Sequence, residues 1–395
     1  MGPRMSSSAN TIAVGKKSPP IYSREVVLFG CIALLALFVL FTATISRMYH
    51  KKIHVLADDW FDQGEASFRA GDTKSAWTDD RNALVYSPNN TKFQFHLAQA
   101  LAAAGRGEEA RSYLLSLLSE SPGDGEVNLA LARIATHKGL IPEALRYYHS
   151  AIYGEWESDP IGMRWQVRRE LAEYLLDRGL QQQAVPGIIA LADSTPPNDT
   201  ERLRVVGNLF LRAKLWNRAL DVFRAVSSAN NSDEDALLGA GISAFNLGQY
   251  NLALDYFEQL PEKDRSSPEI AEMCRTAQQV KDMNPFVDEL SREAKACKAA
   301  NALSLATARL RECAGQDGQS LSTAPQTPLQ EALPNSKQIS TKWSWQNIAK
   351  YPETMDEAMG RAFEMENAAA TACGEPKGAD RALWLLGHSR GVPAQ

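Results

Sequence analysis

The sequence predicts an all-α fold: a right-handed α-solenoid of about six helix–turn–helix units, behind one N-terminal transmembrane helix and closed by a helical C-terminal tail. Three observations predict it. Gly71, Gly105 and Gly139 lie at a constant spacing of about 34 residues, a period typical of such repeats. Ala76, Ala110 and Ala144 keep the same spacing a little further on, and Pro88 and Pro122 sit in step with them. Upstream, the stretch from Val26 to Ile45 carries no charge.

Each repeated feature has a physical task. Small residues where two helices cross let them approach ridge into groove. A glycine between them takes the left-handed conformation that ends the first helix. Proline stops the second, because the residue before it leaves the helical region. One helix pair cannot bury its apolar face alone, so several must stack.

Counted from Ala57, the first unit offers Trp60, Gly64, Ala76 and Pro88, with Phe68 one place late and Asp80 where an aromatic is usual. The second, from Thr91, supplies Leu97, Ala98, Gly105, Ala110, Leu114 and Pro122. The third, from Gly125, gives Leu131, Ala132, Gly139, Ala144 and Tyr148. Register then slips across Trp156–Arg164. A fourth unit from Trp165 shows Ala172, Gly179, Ala184 and Pro196. A fifth from Thr200 shows Gly207, Ala219 and Phe223, with Lys214 in the glycine position; a sixth from Glu234 shows Gly241, Gly248, Ala253 and Phe257. Pro268 opens a capping helix to about Met283.

At these residues the chain resembles the tetratricopeptide repeat family, and in particular its membrane-anchored bacterial members. The resemblance implies an array over residues 57–283 whose first helices line a concave groove that binds a protein or peptide. The groove positions are Phe61 and Glu65; Phe95 and Gln99; Leu129 and Arg133; Arg169 and Glu173; Arg204 and Asn208; and Phe245. Arginines beside apolar anchors suit an acidic, partly apolar segment. Arg204 and Asn208 match part of the family's carboxylate clamp, but the following unit places Gly239 where a clamp residue is wanted.

Composition narrows the function. With 395 residues and 44% hydrophobic content there is material for about two domains' worth of core. The chain carries 42 Lys and Arg against 47 Asp and Glu, and residues 1–52 are strongly basic, so the remainder is acidic. That argues against nucleic acid as a partner. The basic excess flanks the apolar run, where it would meet anionic lipid head groups.

The run Val26–Ile45, as a helix, spans about 30 Å, one hydrocarbon core. It reads as a single-pass anchor; a cleaved signal peptide, with its shorter apolar region, is the rival. Arg4, Lys16, Lys17 and Arg24 precede the span, and Arg47, Lys51 and Lys52 follow it. The bias leans towards an exported, periplasmic body, with a cytoplasmic body as the alternative.

Past the array, residues 284–314 read as a helical extension, turning near Ala300 as a hairpin. Residues 315–341, rich in Ser, Thr, Pro, Gln and Gly, read as a linker, and 342–395 as a helical tail with helices over about 353–372 and 379–386. If the body is exported, Cys313 is placed to pair with Cys297, which requires that hairpin, or with Cys373, which requires the tail to fold back. The cysteines lack C-x-x-C spacing, and no cofactor or metal is expected. Gly387–Gly391 matches G-x-S-x-G, but without the strand, acid and His that motif needs. His50 and His54 share a helix face, at the membrane boundary. Asn89, Asn198 and Asn230 begin N-x-S/T triplets that turn chemistry explains.

Three functions remain: a non-enzymatic adaptor using the groove; a regulatory subunit or enzyme with its activity in residues 284–395; and a structural link in a cell-envelope complex.

Overall fold

A computed structural model describes residues 24–317 and 341–390. The N-terminal basic segment up to residue 23 and most of the expected linker at 315–341 lie outside the described residues. The described chain is helical, and divides into two units, Met1–Trp156 and Glu157–Gln395.

The first unit opens with α1 (Arg24–Arg69), which runs without a break from the apolar span into the first repeat. Among the described residues it is the one helix long and apolar enough to cross a membrane. Its span exposes Phe29, Leu34 and Leu37 to more than half of their surface. Its last turns pack on α2 (Thr73–Tyr86), starting with Ala57 and Phe61, which join Ala83 and Phe93 in one apolar cluster. Two more pairs follow: α3 (Thr91–Ala103) with α4 (Gly107–Glu120), and α5 (Gly125–His137) with α6 (Ile141–Tyr153).

The end of this unit explains the slip in register. After α6 the chain turns back along the start of α5, where the Gly125 amide donates to the Glu155 carbonyl at 2.8 Å and the Glu155 amide to that of Gly123 at 2.7 Å. Trp156 seals the junction, donating its indole N–H to the Ala151 carbonyl at 3.0 Å. A Cβ on Gly125 would stand 2.4 Å from that ring, so glycine is required there.

The second unit holds the pairs α7 (Pro160–Asp177) with α8 (Gln181–Ser194), α9 (Thr200–Arg212) with α10 (Trp216–Ala229), and α11 (Glu234–Asn246) with α12 (Tyr250–Glu258). The slip is absorbed by α7, which starts at Pro160, ahead of the expected Trp165. A single turn, α13 (Glu262–Arg265), leads to the capping helix α14 (Pro268–Met283), which packs on α12.

The repeat is visible in the core. The small residue of each second helix, Ala76, Ala110, Ala144, Ala184, Ala219 and Ala253, is fully or almost fully buried. Opposite stand Gly64, Ala98, Ala132, Ala172, Gly207 and Gly241, equally enclosed. Asp80 fills its aromatic slot differently. It is fully buried and accepts from His96 Nδ1 of the next repeat at 2.8 and 2.9 Å. The rings of Phe61 and Phe68 stand edge-on to that imidazole. Burial pushes the Asp80 carboxyl up, and the hydrogen bond from His96 draws it part of the way back.

Beyond the repeats, α15 (Arg292–Asp317) is one unbroken helix. The hairpin expected near Ala300 is not there: Ala296, Ala299, Leu303, Ala306 and Leu310 form a continuous buried stripe at helical spacing, which a turn would interrupt. The tail comprises α16 (Trp345–Lys350), α17 (Glu353–Cys373) and α18 (Gly378–Ser389). It folds back: α17 lies on α15, and α18 lies on the capping helix α14. Cys313 and Cys373 form a disulfide with their Cα atoms 6.0 Å apart, whereas Cys297 is a free, exposed thiol.

Candidate binding groove

The local rules that shape each repeat also aim its first helix. Asn90, Asp124, Asp159, Asp199 and Asp233 cap α3, α5, α7, α9 and α11, each accepting a backbone N–H from the first turn. At the other end, Gly71, Gly105, Gly139, Gly179 and Gly248 adopt φ between +71° and +80°. The following amides reach back to the carbonyls of the last turn, which closes the helix and sends the chain into its partner.

In the first unit, α3 lies against both α1 and α5, so these three first helices form one face. Glu65, Phe95 and Gln99 are half-buried there and Arg133 is exposed. Phe61 and Leu129 are placed differently, both 4% exposed. Phe61 stacks on Phe93 with centroids 4.7 Å apart, and Lys92 covers its outer face. These two side chains belong to the core beneath the face.

In the second unit the matching face is carried by α7, α9 and α11, which lie side by side. Arg169 and Glu173 are half-buried and approach each other at 3.9 Å. Arg204 Nη1 lies 3.5 Å from Asp233 Oδ2 and 3.7 Å from Asp235 Oδ2, while Asn208 is exposed. Phe245 is 8% exposed, edge-on to Tyr250 at 5.5 Å, and lies with the core. Arg169 and Glu173 on α7 and Arg204 and Asn208 on α9 thus keep access to solvent, whereas Phe245 does not.

Charge on this face is loosely balanced. These ion-pair distances exceed the roughly 2.7–2.9 Å of a charge-assisted hydrogen bond. Part-exposed pairs of this kind contribute little stability, about 0–1 kcal/mol. An incoming carboxylate can therefore compete for the guanidinium groups. A full carboxylate clamp does not form: a Cβ on Gly239 would lie 2.3 Å from the Phe223 ring, so no polar side chain fits there.

Two polar centres went unseen in the sequence. Asp80 with His96 is one. Arg309 with Glu366, joining α15 to α17, is the other. Each pairs residues on different helices, and neither follows the repeat spacing. The serine of the G-x-S-x-G match, Ser389, ends helix α18 and donates to the Leu386 carbonyl, which is not the strand-to-helix turn such a nucleophile needs. His50 and His54 sit on α1, and no cluster of three metal-ligating side chains occurs among the described residues.

Residues 68–134 and residues 207–268 each match a family described as Tetratricopeptide repeat. These two stretches are tetratricopeptide repeats, one in each of the two units. Among curated proteins none matches it. Among solved structures it is similar to PilF of Pseudomonas aeruginosa at 16% identity, covering 56% of this chain and 97% of that one, with a TM-score of 0.41. It is likewise similar to PilW, described as a widely conserved type IV pilus biogenesis factor, at 18% identity over 54% of this chain and 96% of that one, with a TM-score of 0.40. A tetratricopeptide repeat protein from Parabacteroides merdae matches at 15% identity over 84% and 98%, with a TM-score of 0.29. At such identities and scores these likenesses say nothing of partner or process.

Proposed function

We propose that this tetratricopeptide repeat protein is a membrane-tethered, non-enzymatic adaptor that captures a segment of a partner protein on the first-helix faces of its repeats. The observation that carries this reading is the open face of α7, α9 and α11. Asn208 is exposed there, and the half-buried Arg169, Glu173 and Arg204 are held by loose ion pairs. Repeat arrays use such surfaces for extended or helical peptides. The mixed charge fits a segment that offers carboxylates to the arginines and a donor to Glu173.

The body is exported in this reading, into an oxidising compartment such as a periplasm. The Cys313–Cys373 disulfide supports that placement, since such bonds persist mainly outside the reducing cytoplasm. The test is capture of envelope proteins by the full chain in detergent, beside the double variant Arg169→Glu with Arg204→Glu. Capture is expected to be lost while the fold is kept, with stability lowered by about 1–2 kcal/mol through the lost pairs and the new like-charge contacts. Undiminished capture by a folded double variant would move the site off this face.

A further inference from the structure

The C-terminal helices enclose an unbalanced charge cluster. Arg309 on α15 donates from Nη1 to Glu366 Oε2 on α17 at 2.5 Å, and from Nη2 to the Gly374 carbonyl just past α17 at 3.0 Å. Glu366 is fully buried, and its second oxygen, Oε1, has no partner among the described residues. Asp380 Oδ1, in the first turn of α18, is also buried without a partner. A third carboxylate, Glu312, stands one turn along α15 from Arg309 and acts on Asp380. One guanidinium thus serves the two carboxylates Glu366 and Asp380, while Glu312 is exposed to solvent beside them. Of the other charges on these helices, Lys377 before α18 and Arg311 on α15 are exposed to solvent, and several more are engaged elsewhere. Arg381 lies near Tyr250, His388 bonds the Trp384 carbonyl, Lys342 pairs with Glu357, and Arg361 pairs with Glu364.

We propose that Glu366 and Asp380 form a proton-operated latch: a proton held on this carboxylate pair keeps α18 docked on α14, and its loss frees α18 from the end of the repeat array. One cation neutralises one carboxylate; a second whose oxygens are buried beside it must carry a proton or bear the cost of desolvated charge. Burial pushes the Glu366 carboxyl up to about 7, against the pull of Arg309, and burial raises Asp380 as well. The sign follows from linkage. The folded form keeps its proton to higher pH than the unfolded chain, so the contribution is complete below the ordinary value of 4.5 and is lost as pH rises through about 7. The disulfide confines the response. It ties α15 to the end of α17, whereas α18 follows Cys373 and has no covalent tie to the helices it packs on. On α14, α18 also reaches the last repeat, where Ser389 stands 3.0 Å from the place of a Cβ on Gly248.

The test is hydrogen exchange by mass spectrometry on the oxidised full chain in detergent, with rates corrected for intrinsic pH dependence. Peptides from α18 are compared with peptides from α12. Protection of α18 is expected to fall up to about tenfold between about pH 6 and pH 8, with α12 unchanged. Glu366→Gln, a neutral isostere, is expected to keep α18 protected at the higher pH. A flat profile in the unsubstituted protein overturns the proposal. So does a slope that survives in both Glu366→Gln and Asp380→Asn. The second variant carries the comparison if the first does not fold.

Discussion

Lys214 holds, at φ 58°, the turn that glycine holds in five of the six repeats. Its amide and that of Leu215 make the same closing bonds, to Leu211 and Phe210 at 2.9 Å. The geometry belongs to the repeat, and an L side chain adopts it at a cost of roughly 1–2 kcal/mol. Lys214→Gly is therefore expected to stabilise the protein, offset in part by glycine's greater freedom in the unfolded chain, with a net gain of about 1 kcal/mol or less. Chemical denaturation of the two proteins checks it, and a destabilised variant would mean that the lysine side chain contributes more than its backbone strain. The departure at Lys214 was legible in the sequence, because it breaks a pattern at a known position. So was Asp80. Its remedy was not, because His96 becomes a partner only when successive repeats stack. Phe61, Leu129 and Phe245 show a related limit. Periodicity places a residue on a first helix, but a small rotation of that helix separates lining from core.

Elements were read well where a signal repeats and poorly where it does not. Helix pairs, glycine turns and the capping helix follow from spacing, and α17 and α18 match the expected helices of the tail within a residue or a few. The continuity of α1 was not legible, since nothing in the sequence distinguishes a joined helix from two abutting ones. Its consequence is mechanical: the apolar span leads straight into the first repeat as one unbroken helix. The unbroken α15 was misread because its alanine-rich stripe resembles a small-residue turn as much as a close helix contact. That continuity leaves Cys373 as the partner of Cys313. Substituting Cys313→Ser should weaken the tail selectively, by about 2–4 kcal/mol, as for typical disulfides. Hydrogen exchange in α17 should accelerate while that in α3 and α9 stays the same. Equal exchange in α17 with and without the bond would show that packing of α17 on α15 suffices alone.

For the whole molecule, two features bear on the side of the membrane on which the proposed adaptor presents its repeats. Flanking charge is a weak guide, since four basic residues precede the span and three follow it closely. The disulfide is a second and independent one, because it depends on the compartment and not on the span. The two agree on an exported body. Protease added to spheroplasts is then expected to digest the repeats. Alkylation of intact thiols before reduction is expected to label Cys274 and Cys297, the free thiols beyond the membrane, and to leave Cys313 and Cys373 unlabelled. A protected body with all four thiols labelled would place the array in the cytoplasm. In that case the tail would have to hold α17 on α15 through Arg309, Glu366 and the apolar stripe, and the partner would be sought on the other side of the membrane.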